Sequence, residues 1–322
     1  MTNYLSTYFL VSHGSRDPRP KLELNKLAEL LSGQIPLSKY FRKHNNILKS
    51  PVITTGVLEL GPKPLHQQIE DFWEYTRSLN ITQMQIIPLF LLPGVHVTED
   101  IPAEIEIFRE RVKASATLDI VLQQQKSNLK LANQLELTQK PGLSRKFPEL
   151  KDNKHGNKPG LLFEEINTPV KINLSPYIGS HPKMASLLAT KITSVSADAW
   201  VLISHGSRRS GGNNVVEKIS QSLASSCQVL VSTAYWSVPP DLKSRIEILV
   251  KQGYRKIGIL PYFLFNGGIT DAIADRVNQL SQIYPNIKFH LTTPLGATEE
   301  LAELVSDLLE SGYSSFHVNE PH

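Results

Sequence analysis

The sequence predicts an α/β protein built as two tandem lobes, each a parallel sheet covered on both faces by helices. Three observations carry that expectation. First, blocks of sequence recur in one order: TYFLVSHGSR at 7–16 with AWVLISHGSR at 199–208, MQIIPLFLLPG at 84–94 with IGILPYFLFNG at 257–267, and YIGSHPKMASLL at 177–188 with PLGATEELAELV at 294–305. Second, short apolar runs alternate with stretches of helical periodicity. Third, the links between them are short, as in βα units whose strands are buried on both sides.

Repeated blocks in a fixed order mark a tandem duplication. The boundary falls near 194–198, giving a first lobe over 1–195 and a second over 196–322. In the first lobe, Tyr8–Ser12, Pro51–Val57 and Met84–Leu91 read as strands, being apolar, β-branched or aromatic, and bounded by Gly and Pro. Leu65, Ile69 and Phe72 mark one face of a helix, and Ile101, Ile105, Phe108 and Val112 mark another. Pro102 suits the first turn of that second helix, where its missing N–H costs least. The second lobe repeats the scheme with Ile246, Leu249 and Val250, then Ile273, Val277 and Leu280.

The spacing between matched blocks shrinks from 192 to 173 to 117 residues, so the first half carries two extra segments, around 33–50 and around 116–169. The longer is rich in Lys, Asn, Gln and Pro and weakly apolar, and is expected to be flexible. Its lysines form either a solvated face or a grip on an anionic substrate or partner.

Composition narrows the function. The chain has 322 residues, 40% hydrophobic and 20% charged, with a net charge of +4. That balance suits anionic small molecules, and no dense Lys/Arg stripe with interleaved aromatics points to nucleic acid. Cys227 is the single cysteine, which excludes an internal disulfide and a cysteine-based metal cage. The first residues lack the pattern of a signal peptide, and no apolar run approaches the roughly 20 residues that cross a bilayer. A cytoplasmic protein is expected, without membrane partners, monomeric because the duplication already supplies two lobes.

Ligands of parallel sheets bind beyond the carboxyl ends of the strands. There the sequence offers His13 in SHGSR after the first strand, Glu59 after the second, and His96 after the third. Neutral imidazole both ligates first-row divalent metals and accepts protons near neutrality. A lone histidine in such a place is more often a loop residue bonded to backbone. Two of them, each flanked by glycine at a strand end, favour a site. Glu59 reads equally as a solvated turn residue or as a site carboxylate. Gly14 suits a tight turn. Arg16 and Arg208 occupy matching positions, which a structural need in both halves would explain. Ser15 lacks the context of a nucleophile elbow. His66 and His181 read as surface or helix-start residues, and His317 and His322 as parts of a loose tail. The second half keeps His205, but has Ile269 where His96 stands in the first and has a residue close to Ser237 in place of Glu59.

With LVSHGS near the start, PLFLLPGVHVTEDIP, and YIGSHPKMASLL closing the half, the chain resembles the sirohydrochlorin chelatases, the small class II chelatases. The resemblance covers nearly all of both halves apart from the two inserts. It implies a chelatase-like pair of Rossmann-like lobes with an anionic tetrapyrrole, sirohydrochlorin, in the cleft between them. It implies catalytic histidines at His13 and His96, and a substrate-contacting loop at Leu91, Leu92, Pro93, Gly94 and Val95.

The implied reaction inserts Co²⁺ or Fe²⁺ into the macrocycle with release of two protons, on the way to cobalamin-type corrinoids or sirohaem. His13 and His96 are the expected metal ligands, with His13 also accepting a proton and Glu59 balancing charge, relaying protons or contacting substrate. The divalent metal is substrate, and no organic cofactor is expected. A non-catalytic tetrapyrrole or metal carrier would use the same cleft. A histidine phosphatase is less consistent, because Ser12 stands where that chemistry wants an arginine.

Overall fold

The structure is a computed structural model that describes residues 6–35, 51–79, 81–138 and 171–311. Two four-stranded parallel sheets organise it. The first contains β1 (Ser6–Ser12), β2 (Ile53–Val57), β3 (Gln83–Pro88) and β4 (Lys171–Leu174) in the order β2-β1-β3-β4. The second contains β5 (Ala199–Ser204), β6 (Leu230–Tyr235), β7 (Lys256–Pro261) and β8 (Lys288–Leu291) in the equivalent order β6-β5-β7-β8. The helices are α1 (Arg19–Gln34), α2 (Leu65–Ser78), α3 (Ile101–Thr138), α4 (Met184–Thr193), α5 (Asn214–Cys227), α6 (Leu242–Lys251), α7 (Gly268–Ile283) and α8 (Glu299–Ser311).

The apolar runs form the central strands because both faces of each sheet are covered. Successive residues of a strand point to opposite faces. Tyr8 and Leu10 of β1 enter one core cluster with Trp200 and Leu202 of β5. On the other face of β1, the Phe9 ring lies 5.7 Å from Phe72 of α2. Ala199, Val201 and Ile203 of β5 enter a second cluster with α6 and α7.

The first cluster joins the two halves through exchanged helices. Leu24, Leu27 and Leu31 of α1 share it with Leu301, Val305 and Leu308 of α8. Likewise α4, which ends the first half, packs on α5, which opens the second. The sequence boundary near 195 therefore lies in the short link between α4 and β5, while a common core runs across it.

Three differences from the sequence reading have physical causes. The third strand ends at Pro88 rather than Leu91. Leu89 still donates to Val11 O at 2.7 Å, after which the chain turns away toward the site. The helix expected through Val112 runs on to Thr138, so the first part of the segment expected to be flexible is helical. The described residues from Glu106 to Thr138 belong to a unit of their own. Within it Arg109 bonds to Glu106 at 3.1 Å and Leu118 and Leu122 are exposed. The remainder of that insert, the 36–50 stretch and the tail with His317 and His322 lie outside the described residues.

The third difference is His181, which precedes α4 but is buried, with 7% of its surface exposed. Its Nδ1 accepts a hydrogen bond from Lys183 N at 3.1 Å, which fixes the neutral ring with its proton on Nε2, 3.6 Å from Asp307. Burial pushes the His181 pKa below its ordinary 6.5, the nearby Lys183 charge adds to this, and Asp307 opposes it. The unfolded chain then binds more protons than the folded one on the acid side of that value. Stability is present above it and is lost as pH falls. Urea midpoints of the wild type should therefore drop more between about pH 7 and about pH 5 than those of His181→Gln. Equal drops would exonerate His181.

Candidate metal and proton-transfer site

The site grows out of the order of the first sheet. The connection from β1 leads to β2 on one side, and the next returns across to β3 on the other, so β1 and β3 flank a switch point where a crevice opens. The parallel register brings Ser12 level with Val57 and Val11 level with Pro88. Two more bonds extend the β1–β2 ladder beyond the strands: Leu58 N donates to Ser12 O and Glu59 N to His13 O, each at 2.9 Å. His13 and Glu59 are thus tied backbone to backbone.

Gly14 is what allows this approach. Its φ is +100°, and a Cβ there would stand 1.9 Å from the Glu59 carbonyl oxygen. Only glycine satisfies both conditions.

His96 arrives from the other side of β1. It begins a π-helical turn, His96–Asp100, that leads into α3. Pro102 explains the widened turn. It has no N–H for the carbonyl of Thr98, and its ring crowds that carbonyl. The wide turn stacks His96 over Asp100, and Nδ1 of His96 meets Asp100 Oδ2 at 2.7 Å. A carboxylate can only accept, so Nδ1 carries the proton and the Nε2 lone pair stays open. Such a carboxylate fixes the tautomer and the ring orientation of a ligating histidine. His13 is set similarly: its Nδ1 lies 3.3 Å from Gly14 O, so a proton there leaves Nε2 open.

The two imidazoles face each other edge to face with centroids 4.7 Å apart. Nε2 of His13 is 4.0 Å from Glu59 Oε2. Among the described residues, His13, Glu59 and His96 form the one such cluster, with a donor atom from each within 4.8 Å of the others. Ligands of a shared ion at about 2.1 Å stand roughly 3–4 Å apart, so small side-chain rotations close the set. His13 and Glu59 are about half exposed, so the cluster opens to solvent. Phe90 shields one side, its ring 6.4 Å from His13 and 5.9 Å from His96.

The expected substrate loop borders the cluster. Leu91 and Leu92 are partly buried against the shared core, Pro93 is exposed, and Gly94 and Val95 are half-buried. Leu91 is pinned from two directions. Tyr262 of the second half donates its hydroxyl to Leu91 O at 3.4 Å, and Gly179 packs so close that a Cβ would reach 2.1 Å from the same oxygen.

The second half offers the same scaffold without the chemistry. Trp236 N donates to Ser204 O and Ser237 N to His205 O, each at 2.9 Å, so Ser237 occupies the place of Glu59. Its hydroxyl donates to His205 O at 2.8 Å. Ile269, in the place of His96, opens α7 and packs on the second core. His205 alone remains, and it is exposed.

Asp100 and Phe90 are the participants that reading the sequence passes over. The four-residue spacing from His96 to Asp100 in HVTED was the available signal. His66, read as a helix-start residue, is one: its backbone N–H and its Nδ1 both meet Glu104 Oε2, at 2.7 and 2.8 Å.

Fold and site define a two-lobed α/β protein carrying one open pair of imidazoles with a carboxylate. The CbiX family signature matches residues 7–136 and 199–311, and the chain belongs to that family. It is 22% identical to the sirohydrochlorin ferrochelatase of Priestia megaterium over 320 residues, covering 97% of this chain and 92% of that protein. It is 26% identical to the sirohydrochlorin cobaltochelatase of the same organism and 27% identical to the chloroplastic sirohydrochlorin ferrochelatase of Arabidopsis thaliana. Those two matches span about half the relatives' length, 47% and 52%, and 42% and 35% of this chain. The fold matches SirB from Bacillus subtilis with Fe³⁺, at a TM-score of 0.62 and 20% identity over 96% of both chains. It also matches a CbiX described as the terminal enzyme of sirohaem biosynthesis in denitrifying bacteria, at 0.55 and 14% over 95% and 98%.

Proposed function

We propose that this chain is a sirohydrochlorin chelatase, inserting Co²⁺ or Fe²⁺ into the macrocycle at His13, Glu59 and His96. The observation that supports it most is the close approach of three open donor groups at the switch point of one sheet. The names of the relatives agree with it.

The residues suggest a sequence of events. Neutral His13 and His96, with the Glu59 carboxylate, hold a partly dehydrated dication. The macrocycle carries two pyrrole N–H protons that must leave as the metal enters. A ligand that releases the metal regains the lone pair it was using. His13 and Glu59 can therefore hand over the ion and take up the protons, and the open side of Glu59 passes them to water. His96, steadied by Asp100, keeps hold of the ion longest. Leu91–Val95 and the opposite half press on the ring, so that binding energy favours the geometry in which metal enters.

The division at 195, the cytoplasmic setting and a monomeric state belong to the same proposal. The single cysteine supports a reducing compartment. Among the described residues no helix is long and apolar enough to cross a membrane.

The test is an anaerobic spectroscopic assay with sirohydrochlorin and each metal. Many turnovers per protein with both Co²⁺ and Fe²⁺ are expected, since two imidazoles and a carboxylate accept either. A spectral change that stops at one equivalent would make the protein a carrier, and no change would overturn the proposal. A thousandfold preference would assign metal choice to the protein itself.

A further inference from the structure

Arg16 and Arg208 hold matching positions in the two halves, and the geometry around them is repeated too. Ser15 Oγ accepts from Asp17 N at 3.0 Å, and Ser207 Oγ accepts from Arg209 N at 3.2 Å. Each arginine is therefore the apex of the same serine-closed turn. A left-handed glycine delivers the chain to each, Gly14 at φ +100° and Gly206 at +83°. Both arginines are exposed, and among the described residues neither guanidinium has a hydrogen bond or ion pair. Nothing among the described residues requires a cation there.

The neighbouring cations, by contrast, are occupied. Arg19 bonds to Asp17 and, at 3.0 Å, to Asp271 of the second half. Arg209 lies 3.7 Å from Glu99, inside the turn that carries His96. These pairs fix where the two apices stand. Arg208 directly precedes the residue that reaches the His96 turn. Arg16 lies three residues from His13 and directly precedes Asp17, which shares Arg19 with the opposite half. Each arginine thus stands three residues after its half's strand-end histidine, Arg16 after His13 and Arg208 after His205, and next to a member of an ion-pair set that joins the halves.

We propose that Arg16 and Arg208 form a two-point clamp for carboxylate side chains of the substrate, one at each side of the ring. This rests on the reading that the ligand is a polycarboxylate tetrapyrrole. A guanidinium fork grips a carboxylate through two parallel hydrogen bonds, which fixes orientation as well as affinity. The clamp also explains why the second half keeps Arg208 although it has lost two of the three donors. Holding the substrate needs both halves, whereas handling the metal needs one.

The experiment has two arms on the full chain, with sirohydrochlorin as the probe. Equilibrium absorbance titration of the metal-free ring measures binding, and anaerobic Co²⁺ insertion measures KM and kcat. Arg16→Ala and Arg208→Ala should each weaken binding and raise KM about tenfold, the scale of one charge-assisted hydrogen bond. Saturated kcat should stay within about twofold, because neither residue touches the metal. Lysine at either position should restore part of the affinity, and added salt should narrow the gap between wild type and variants. Alanine variants that bind like the wild type would overturn the clamp even if insertion proceeds normally. A wild type that binds the ring through these arginines but inserts no metal would leave the clamp standing and overturn the chelatase. A wild type that does not bind the ring would overturn both.

Discussion

His13→Ala and His96→Ala should each lower kcat/KM for metal insertion at least about a hundredfold, the usual worth of a group that both ligates and moves a proton. The fold should survive, because His13 is exposed and His96 is half-buried, and neither belongs to the core. Asp100→Asn should fall between, losing about 10- to 100-fold, because an amide no longer holds the His96 proton on Nδ1 as a carboxylate does. His205→Ala is the internal control. It removes the histidine at the equivalent strand end of the second half, where Ile269 and Ser237 leave no partner donors, and its rate should remain within about twofold of the wild type. Anaerobic insertion kinetics with circular dichroism on each variant give the answer. Near-normal activity in His13→Ala or His96→Ala would remove that residue from the chemistry.

Gly14→Ala should be the most damaging single-methyl change in the half that carries His13, Glu59 and His96. The methyl must either displace the Glu59 carbonyl from 1.9 Å or break the bond from Glu59 N to His13 O. The left-handed backbone adds its own penalty for any side chain. A stability loss of about 2–4 kcal/mol is expected. Activity should fall further than stability alone explains, because His13 and Glu59 move together. Gly33→Ala offers the contrast. It sits in α1 with nothing within 4 Å of the added carbon, so helix propensity should make it neutral or stabilising by up to about 1 kcal/mol. Urea denaturation of the pair decides it. Equal stabilities would mean that the SHGSR turn relaxes easily and that its geometry is not what places the site.

The strands and the three donors were legible because their signals are local. Runs such as YFLV and WVLI are apolar at every position, which is what a strand buried on both faces requires. Parallel-sheet topology then brings residues that follow those runs to one end. The constant spacing between repeats paired His96 with Ile269, and the repeated backbone bonds pair Glu59 with Ser237. The π-helical turn was not legible. Pro102 reads as an ordinary first-turn proline, whereas the helical turn already begins at His96, and the four-residue spacing to Asp100 gains its meaning only from that start. The burial of His181 was hidden for another reason. The helix that covers it, α8, is more than a hundred residues further on, and a repeat does not say which half's helix packs on which core.

The exchange of α8 and α4 between the halves makes the first lobe wait for the second during translation. The leucine face of α1 leaves the ribosome well before its cover, α8, which begins at Glu299. At about 5–20 residues per second, that face waits on the order of tens of seconds for its partner. Throughout that interval Leu24, Leu27 and Leu31 form an apolar surface suited to holding chaperones or to mispairing with a second nascent chain. Closure through contacts so distant in sequence is also intrinsically slow. A nascent chain can thus carry His13, Glu59 and His96 in a lobe that is still open, and completion of the second lobe is what seals it.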